Sequence, residues 1–291
     1  MNEVCRQCII DKFRDKIPDG MAAETAENYR ESVVRIAHEE ETGPEAAYFI
    51  RQLRKDLFGE EAFDYSEIKK HYNALVLSEV KEITEKIAAA DDRILRAMQY
   101  AMTGNFVDFG ALDSVTEEQL WDLMGKADGI KINESVYQAF RKEFLKARTL
   151  TYITDNCGEV VLDMFLIREL KRVSPDLQVS VIVRGAPVAN DATMEDAMQI
   201  GLPEIAYVIG NGTKTDGTIL KNVSEEAHRL ITKADILIAK GQANYETLRG
   251  CGLNVFYLFM CKCHLFTERF QVPQFSGVMA WEIEDQAIDR I

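Results

Sequence analysis

Basic residues are scarce in this chain: 34 Lys and Arg stand against 48 Asp and Glu, a formal net charge of -14. The shortage argues against duplex nucleic acid as a partner, because phosphate backbones are held mainly by Lys and Arg. It leaves room for a small phosphate compound, which a metal ion and one or two local cations can hold inside an acidic protein. An apolar leader is also lacking. The chain opens MNEVCRQCIIDKFRDK, charged from the start, with no h-region of a signal peptide. The longest apolar runs, such as residues 255–261, are strand-sized and too short to span a bilayer. No membrane association is expected, and the expected location is cytoplasmic. Cysteines are few: Cys5, Cys8, Cys157, Cys251, Cys261 and Cys263. Without an export signal they read as reduced thiols or metal ligands, not as a disulfide framework. There is no internal repeat and no long linker.

What is present is an apolar content of 47%, enough to bury a core. The two halves differ in texture. Up to about residue 148 the apolar residues fall at helical spacing: Ala26, Tyr29, Val33, Ile36 and Ala37 within 22–41, then 44–58, 65–90, and Ile94, Leu95 and Met98 within 91–102. Thr116 and Gln119 have capping-box spacing at the start of a helix over 116–126, and 133–148 closes the region as an amphipathic helix. From Thr149 onward, short β-branched runs at 151–154, 179–183, 205–209, 236–239 and 255–260 alternate with helical stretches at 160–172, 193–200, 224–232 and 245–249. That alternation predicts a mostly parallel α/β sheet. The expected organisation is a helical domain over 1–148 and an α/β domain over 149–291.

Ligands of open α/β sheets bind beyond the carboxyl ends of the strands. Four successive predicted ends carry Gly with Asp, Asn, Arg or Lys: Asp155-Asn156-Cys157-Gly158-Glu159, Arg184-Gly185 with Asn190-Asp191, Gly210-Asn211-Gly212, and Lys240-Gly241-Gln242-Ala243-Asn244. Asp155, Asn156 and Asp191 offer oxygen ligands for a hard divalent ion such as Mg²⁺ or Mn²⁺. Arg184 and Lys240 offer positive charge to phosphate oxygens. Gly158 before a helix leaves backbone amides for an anion. Each feature also has a plainer reading. Asp155-Asn156 and Asn190-Asp191 are helix-cap pairs, Lys240 is a solvated charge, Gly104 is a helix C-cap, and Asn211-Gly212 and Asp216-Gly217 are turns.

Four segments carry a resemblance: Thr103-Gly104-Asn105-Phe106-Val107-Asp108-Phe109-Gly110, Thr154 to Glu159, Arg184 to Thr193, and Lys240 to Glu246. In order and in composition they resemble the DUF89 or ARMT-like damage-control metal-dependent phosphatases. The Cys5-x-x-Cys8 start and the Met260-Cys261-Lys262-Cys263 segment are similar to the stand-alone microbial branch. The resemblance implies a three-layer α/β/α catalytic domain behind a helical domain, and hydrolysis of small phosphorylated metabolites. It implies a divalent metal (Mn²⁺, Mg²⁺, Co²⁺ or Ni²⁺) held by Asp155, Asn156 and Asp191, with Lys240 contacting the phosphate. Asn105, Asp108, Glu159, Arg184 and Asn190 are then expected around metal and substrate. Lys214-Thr215-Asp216-Gly217 departs from the family's usual segment, which leaves the substrate open among sugar phosphates, phosphopantetheine-like compounds and nucleotide-derived phosphates. Two mechanisms fit the residues, direct attack by water and an aspartyl-phosphate on Asp155.

Two other functions stay open at this point. One is a Rossmann-like nucleotide- or S-adenosylmethionine-binding transferase, against which the turn after the first strand lacks G-x-G-x-x-G spacing. The other is a metal- or redox-sensing protein. It would be built on Cys5 and Cys8, three apart on a helix, and on Cys261 and Cys263, two apart on an expected strand. Neither the native metal nor the oligomeric state is legible.

Overall fold

The computed structural model describes residues 1–59, 64–105, 118, 122 and 124–284. Among them, α1 (Glu3–Phe13), α2 (Ala23–Glu39), α3 (Gly43–Phe58), α4 (Ser66–Ser78), α5 (Val80–Ala88), α6 (Arg93–Gly104) and α7 (Glu134–Phe144) precede the first strand. Four of these starts are chemically marked. Asn2, Thr42, Asp92 and Asn133 each accept a first-turn backbone N–H through a side-chain oxygen. The expected stripe of α2 is buried from Ala26 to Ala37. The run expected over 65–90 is two helices, because Glu79 (φ -96°, ψ 4°) leaves the helical conformation between them. Asp108 and the Thr116 capping box lie outside the described residues.

The sheet consists of β1 (Thr149–Ile153), β2 (Gln178–Val183), β3 (Tyr207–Gly210), β4 (Ile236–Lys240), β5 (Val255–Met260) and β6 (Gly277–Trp281), in the order β3-β2-β1-β4-β5-β6. All pairs are parallel except β5 with β6. The connecting helices are α8 (Glu159–Val173), α9 (Met194–Gln199), α10 (Glu225–Lys233), α11 (Gln242–Leu248) and α12 (His264–Phe270). Strand β6 and helix α12 were not expected. The strand ends at Met260, so Cys261 follows it and Cys263 is the N-cap of α12; the two thiols do not share a strand face.

Side-chain alternation makes three layers. Leu150 and Tyr152 of β1, Ile236 and Ile238 of β4, and Phe256 and Leu258 of β5 pack in one core with α4 to α8. Ile153, Leu237, Ala239, Val255, Tyr257 and Phe259 point the other way, into a core with α10, α11 and α12. The first core is continuous across residue 148: Phe140 of α7 meets Phe256 edge-on, ring centroids 5.3 Å apart. Truncating such a buried ring typically costs about 3–5 kcal/mol. An exposed pair such as Arg35–Glu39 contributes at most about 1 kcal/mol. Apolar burial therefore fastens the helices to the sheet. A separate small core, Tyr29, Val33, Ile36, Ala46 and Ile50, holds α2 against α3.

Because β1 to β5 are parallel, their carboxyl ends share one edge. The connections reverse direction between β1 and β4, and this switch point opens the crevice where such sheets bind ligands.

Candidate active site

The switch point is occupied by the segment after β1 and the return loop after β2. The loop folds back so that Asn156 forms an isolated antiparallel bridge with Asp191 and Arg184 a parallel one with Thr193. Three backbone bonds fix it: Ala192 N–H to Asp155 O (2.7 Å), Arg184 N–H to Ala192 O (2.8 Å) and Cys157 N–H to Asn190 O (2.8 Å). Asp155, Asn156, Asn190 and Asp191 are thereby brought together, all buried. The capping alternative for Asp191 does not hold. Helix α9 is capped by Thr193 and Asp196 in a reciprocal box.

The side chains converge on Asp155. Its Oδ2 accepts from Asn105 Nδ2 (2.9 Å) and Asn156 Nδ2 (2.9 Å). Asn105 reaches it from the end of α6, anchored by Met260 N–H donating to its Oδ1 at 2.9 Å. Asn190 Nδ2 donates to Asn156 Oδ1 at 2.9 Å. Arg184 joins the two carboxylates: its Nε donates to Asp191 Oδ2, and its Nη2 lies 3.7 Å from Asp155 Oδ1. Nη2 is buried and has no hydrogen-bond partner among the described residues. Nη1 donates to the Gly217 carbonyl at 2.7 Å, so the segment that departs from the family pattern touches this site.

Burial holds the Asp155 carboxyl well above the usual carboxylate range, and the charges of Asp191 and Glu159 push it further; Arg184 and Lys262 offset part of this. Two carboxylates forced together out of water are what a divalent cation relieves. Among the described residues no three His, Cys, Asp or Glu side chains form a metal-binding group. A cation here would rest on Asp155, Asp191 and an amide oxygen of Asn156, an all-oxygen set that fits a hard ion.

Glu159 and Lys240 lie beneath, both fully buried. Glu159 Oε2 accepts from Asn105 Nδ2 (3.0 Å), Asn156 Nδ2 (3.0 Å) and Asn156 N–H (3.2 Å). Its Oε1 accepts from Lys240 Nζ at 2.6 Å. Lys240 is therefore no solvated charge. The amides expected to be open at the start of α8 are engaged: Gly158 N–H donates to Asn73 Oδ1 (2.7 Å) and Glu159 N–H to Cys157 O (2.7 Å).

Several roles escape a reading of sequence. Asp163 stands one turn after Glu159 and takes Lys240 Nζ and Tyr152 OH, each at 2.6 Å, on Oδ1. Burial pushes its carboxyl up to about 7. The signal was available: two carboxylates at i and i+4 in the otherwise apolar first half of the helix, residues 159–167. Asn244 ties the β4–α11 turn to β1 through Nδ2 donating to Lys240 O (2.6 Å) and Thr154 O (3.0 Å). Lys262 lies half-buried just beyond β5, and its charge acts on Asp155. Gly104 is not a left-handed cap. It is the last residue of α6, with Asn105 as C-cap, and a Cβ there would stand 2.9 Å from the Glu159 Cα. Asn211 is more than a turn residue: buried, its Oδ1 accepts Gly185 N–H at 2.8 Å and so links the ends of β2 and β3.

The cysteines stand apart from this cluster. Burial pushes the Cys5 thiol up to about 11, and the charges of Glu246, Cys263 and Cys8 add to it. All six cysteines are free. No helix among the described residues is long and apolar enough to cross a membrane.

Comparison with known proteins converges on one family. The profile of the damage-control phosphatase ARMT1-like domain matches residues 1–278. A damage-control phosphatase of Pyrococcus horikoshii, PH1575, is 34% identical over 202 residues, 67% of this chain and 69% of that protein. A damage-control phosphatase of Archaeoglobus fulgidus is 34% identical over 207 residues, 68% of this chain and 69% of the relative. The crystal structure of the Pyrococcus horikoshii protein, described as a DUF89 family protein, superposes with a TM-score of 0.75 at 25% identity, covering 97% of this chain and 99% of the other.

Proposed function

Since this chain belongs to the damage-control phosphatase ARMT1-like family and is a phosphatase of the damage-control type, we propose that it hydrolyses phosphomonoesters of small metabolites with a divalent metal ion, Mn²⁺ or a similar ion, at the Asp155–Asp191 edge. The observation that carries this is the convergence of Asp155, Asn156 and Asp191 at the switch point, with Arg184 spanning the two carboxylates. When bound, the ion supplies Lewis-acid polarisation of a phosphoryl oxygen.

The chain's own residues do the rest. Asn105 and Asn156 hold Asp155 Oδ2, and Oδ1 would orient the attacking water; as that oxygen bonds to phosphorus the P–O bond to the alcohol breaks, and the water's proton passes by way of the carboxylate to the leaving alkoxide. Arg184, fixed by Asp191 and the Gly217 carbonyl, cannot swing away, so Nη2 keeps its charge beside Asp155. Lys262, half-buried just beyond β5 and carrying a charge that acts on Asp155, is the cation suited to the departing phosphate. Direct attack by water is preferred over an aspartyl-phosphate, because a carboxylate committed to a cation is the poorer nucleophile. Asn190, Glu159 and Lys240 hold the donors in place, and Asp108 belongs to the substrate side on resemblance alone. This reading sets the protein in the cytoplasm, among small phosphorylated metabolites.

The transferase reading finds no support at the β1–α8 turn. Asn156, Cys157, Gly158 and Glu159 all donate their backbone N–H groups within the protein, so no cradle for a pyrophosphate is left. The test is hydrolysis of an aryl phosphate by protein stripped with chelator and then resupplied with Mn²⁺. Activity lost on stripping and restored by Mn²⁺ is expected; chelator-insensitive hydrolysis, or none with any divalent ion, sinks the proposal.

A further inference from the structure

Lys240 ends β4 and has no exposed side-chain surface. An ammonium group has three donors. Here they go to Glu159 Oε1 at 2.6 Å, Asp163 Oδ1 at 2.6 Å and the Ala101 carbonyl at 2.8 Å. A phosphate oxygen would have to displace one of these acceptors, two of which are carboxylates in a buried ion pair. Such a pair loses heavily when one partner is left alone.

The contacts lead instead toward Asp155. Glu159, gripped by Lys240 through one oxygen, uses the other to accept the amides of Asn105 and Asn156. Those same two amide groups donate to Asp155 Oδ2. Lys240 also joins three elements: its own strand, α8 through Glu159 and Asp163, and α6 through Ala101. The close approach of Gly104 to Glu159 brings α6 near enough for this.

We propose that Lys240 is a positioning residue: it fixes Glu159, and through Glu159 the amides of Asn105 and Asn156, so that Asp155 keeps its place opposite Asp191, and it does not touch the substrate. This replaces the phosphate contact that the resemblance implied for Lys240, and it rests on the phosphatase reading of this edge.

The test uses the full chain with Lys240→Met, Glu159→Gln and the double variant. Mn²⁺ affinity is measured by direct titration, and competitive inhibition by inorganic phosphate at saturating Mn²⁺; folding is checked by thermal unfolding. Residues that orient a metal ligand typically contribute about 10–100-fold to affinity. Lys240→Met is expected to weaken Mn²⁺ binding by that range, with the phosphate inhibition constant changed less than about threefold. The double variant should bind Mn²⁺ no more weakly than Glu159→Gln alone, because both act along one line of contacts. A phosphate inhibition constant raised tenfold or more, with Mn²⁺ affinity intact, overturns the proposal. If Lys240→Met does not fold, Asp163→Asn decides. Next to a lysine that touches phosphate, loss of that negative charge tightens phosphate; beneath a positioning lysine it leaves phosphate inhibition unchanged. A wild-type protein without hydrolase activity defeats the underlying reading, while the Mn²⁺ titrations still report on the contacts of Lys240.

Discussion

The α-carbon of Gly241 lies against the carboxylate of Asp155, so close that a Cβ at residue 241 would stand 2.0 Å from Oδ2. The first residue of the turn after β4 must therefore be glycine for Asp155, two residues beyond β1, to occupy its place. The backbone there also has φ +81°, which a side chain rarely tolerates.

Gly241→Ala is the sharpest consequence. The methyl group must push Asp155 aside or distort the β4–α11 turn, with backbone strain of about 1–3 kcal/mol besides. Hydrolysis should fall by roughly a hundredfold, the size expected when catalytic groups shift by about 1 Å, while circular dichroism still reports a folded chain. Near-normal turnover in a folded variant would remove Asp155 from the chemistry.

Arg184→Ala should be costly to the fold as well as to the reaction. It leaves Asp191 and Asp155 facing each other without their common cation. Removing one member of a buried ion pair destabilises by about 3–5 kcal/mol. Urea denaturation of the metal-free protein measures it, and a loss below about 1 kcal/mol would show that Arg184 is not the clamp described here.

Lys262→Ala should act on substrate. The side chain is half-buried beyond the end of β5, and its charge acts on Asp155. The KM for an aryl phosphate should rise about tenfold, the effect of one lost charge-assisted contact. An unaltered KM would assign phosphate binding to other groups.

Glu246 links stability to pH. Burial raises its carboxyl from 4.5 to about 7, although Gln242 donates to it at 3.1 Å. The folded chain thus holds a proton that the unfolded chain has lost between those two values. Stability contributed by that proton is full below about 4.5 and disappears as pH climbs through 7, on the order of 1–3 kcal/mol. Glu246→Gln should flatten this part of the curve and be the more stable protein at pH 8. Parallel stability curves for the two proteins would refute the assignment.

Much of this molecule is legible in the chain alone. The 3.6-residue stripe of α2 and the β-branched runs of β1, β2, β4 and β5 are periodic patterns that local sterics and burial impose. A parallel sheet gathers its carboxyl ends on one edge, so the residues after those strands mark the site in advance. Strand β6 was not legible: Gly277–Trp281 is strand only because it lies antiparallel along β5, a pairing its composition does not announce. The roles of individual residues were decided by chain segments that arrive from far away. Lys240 reads as a surface charge or a phosphate contact until Ala101, 139 residues earlier, closes over it. Gly104 reads as a helix cap until Glu159 lies against it, and Gly241 as an ordinary turn glycine until Asp155 does. The sequence determines which groups can accept, donate or carry charge. Only the tertiary structure determines which of them lose water and which neighbour must replace it, because that depends on the distance between segments and not on their local pattern.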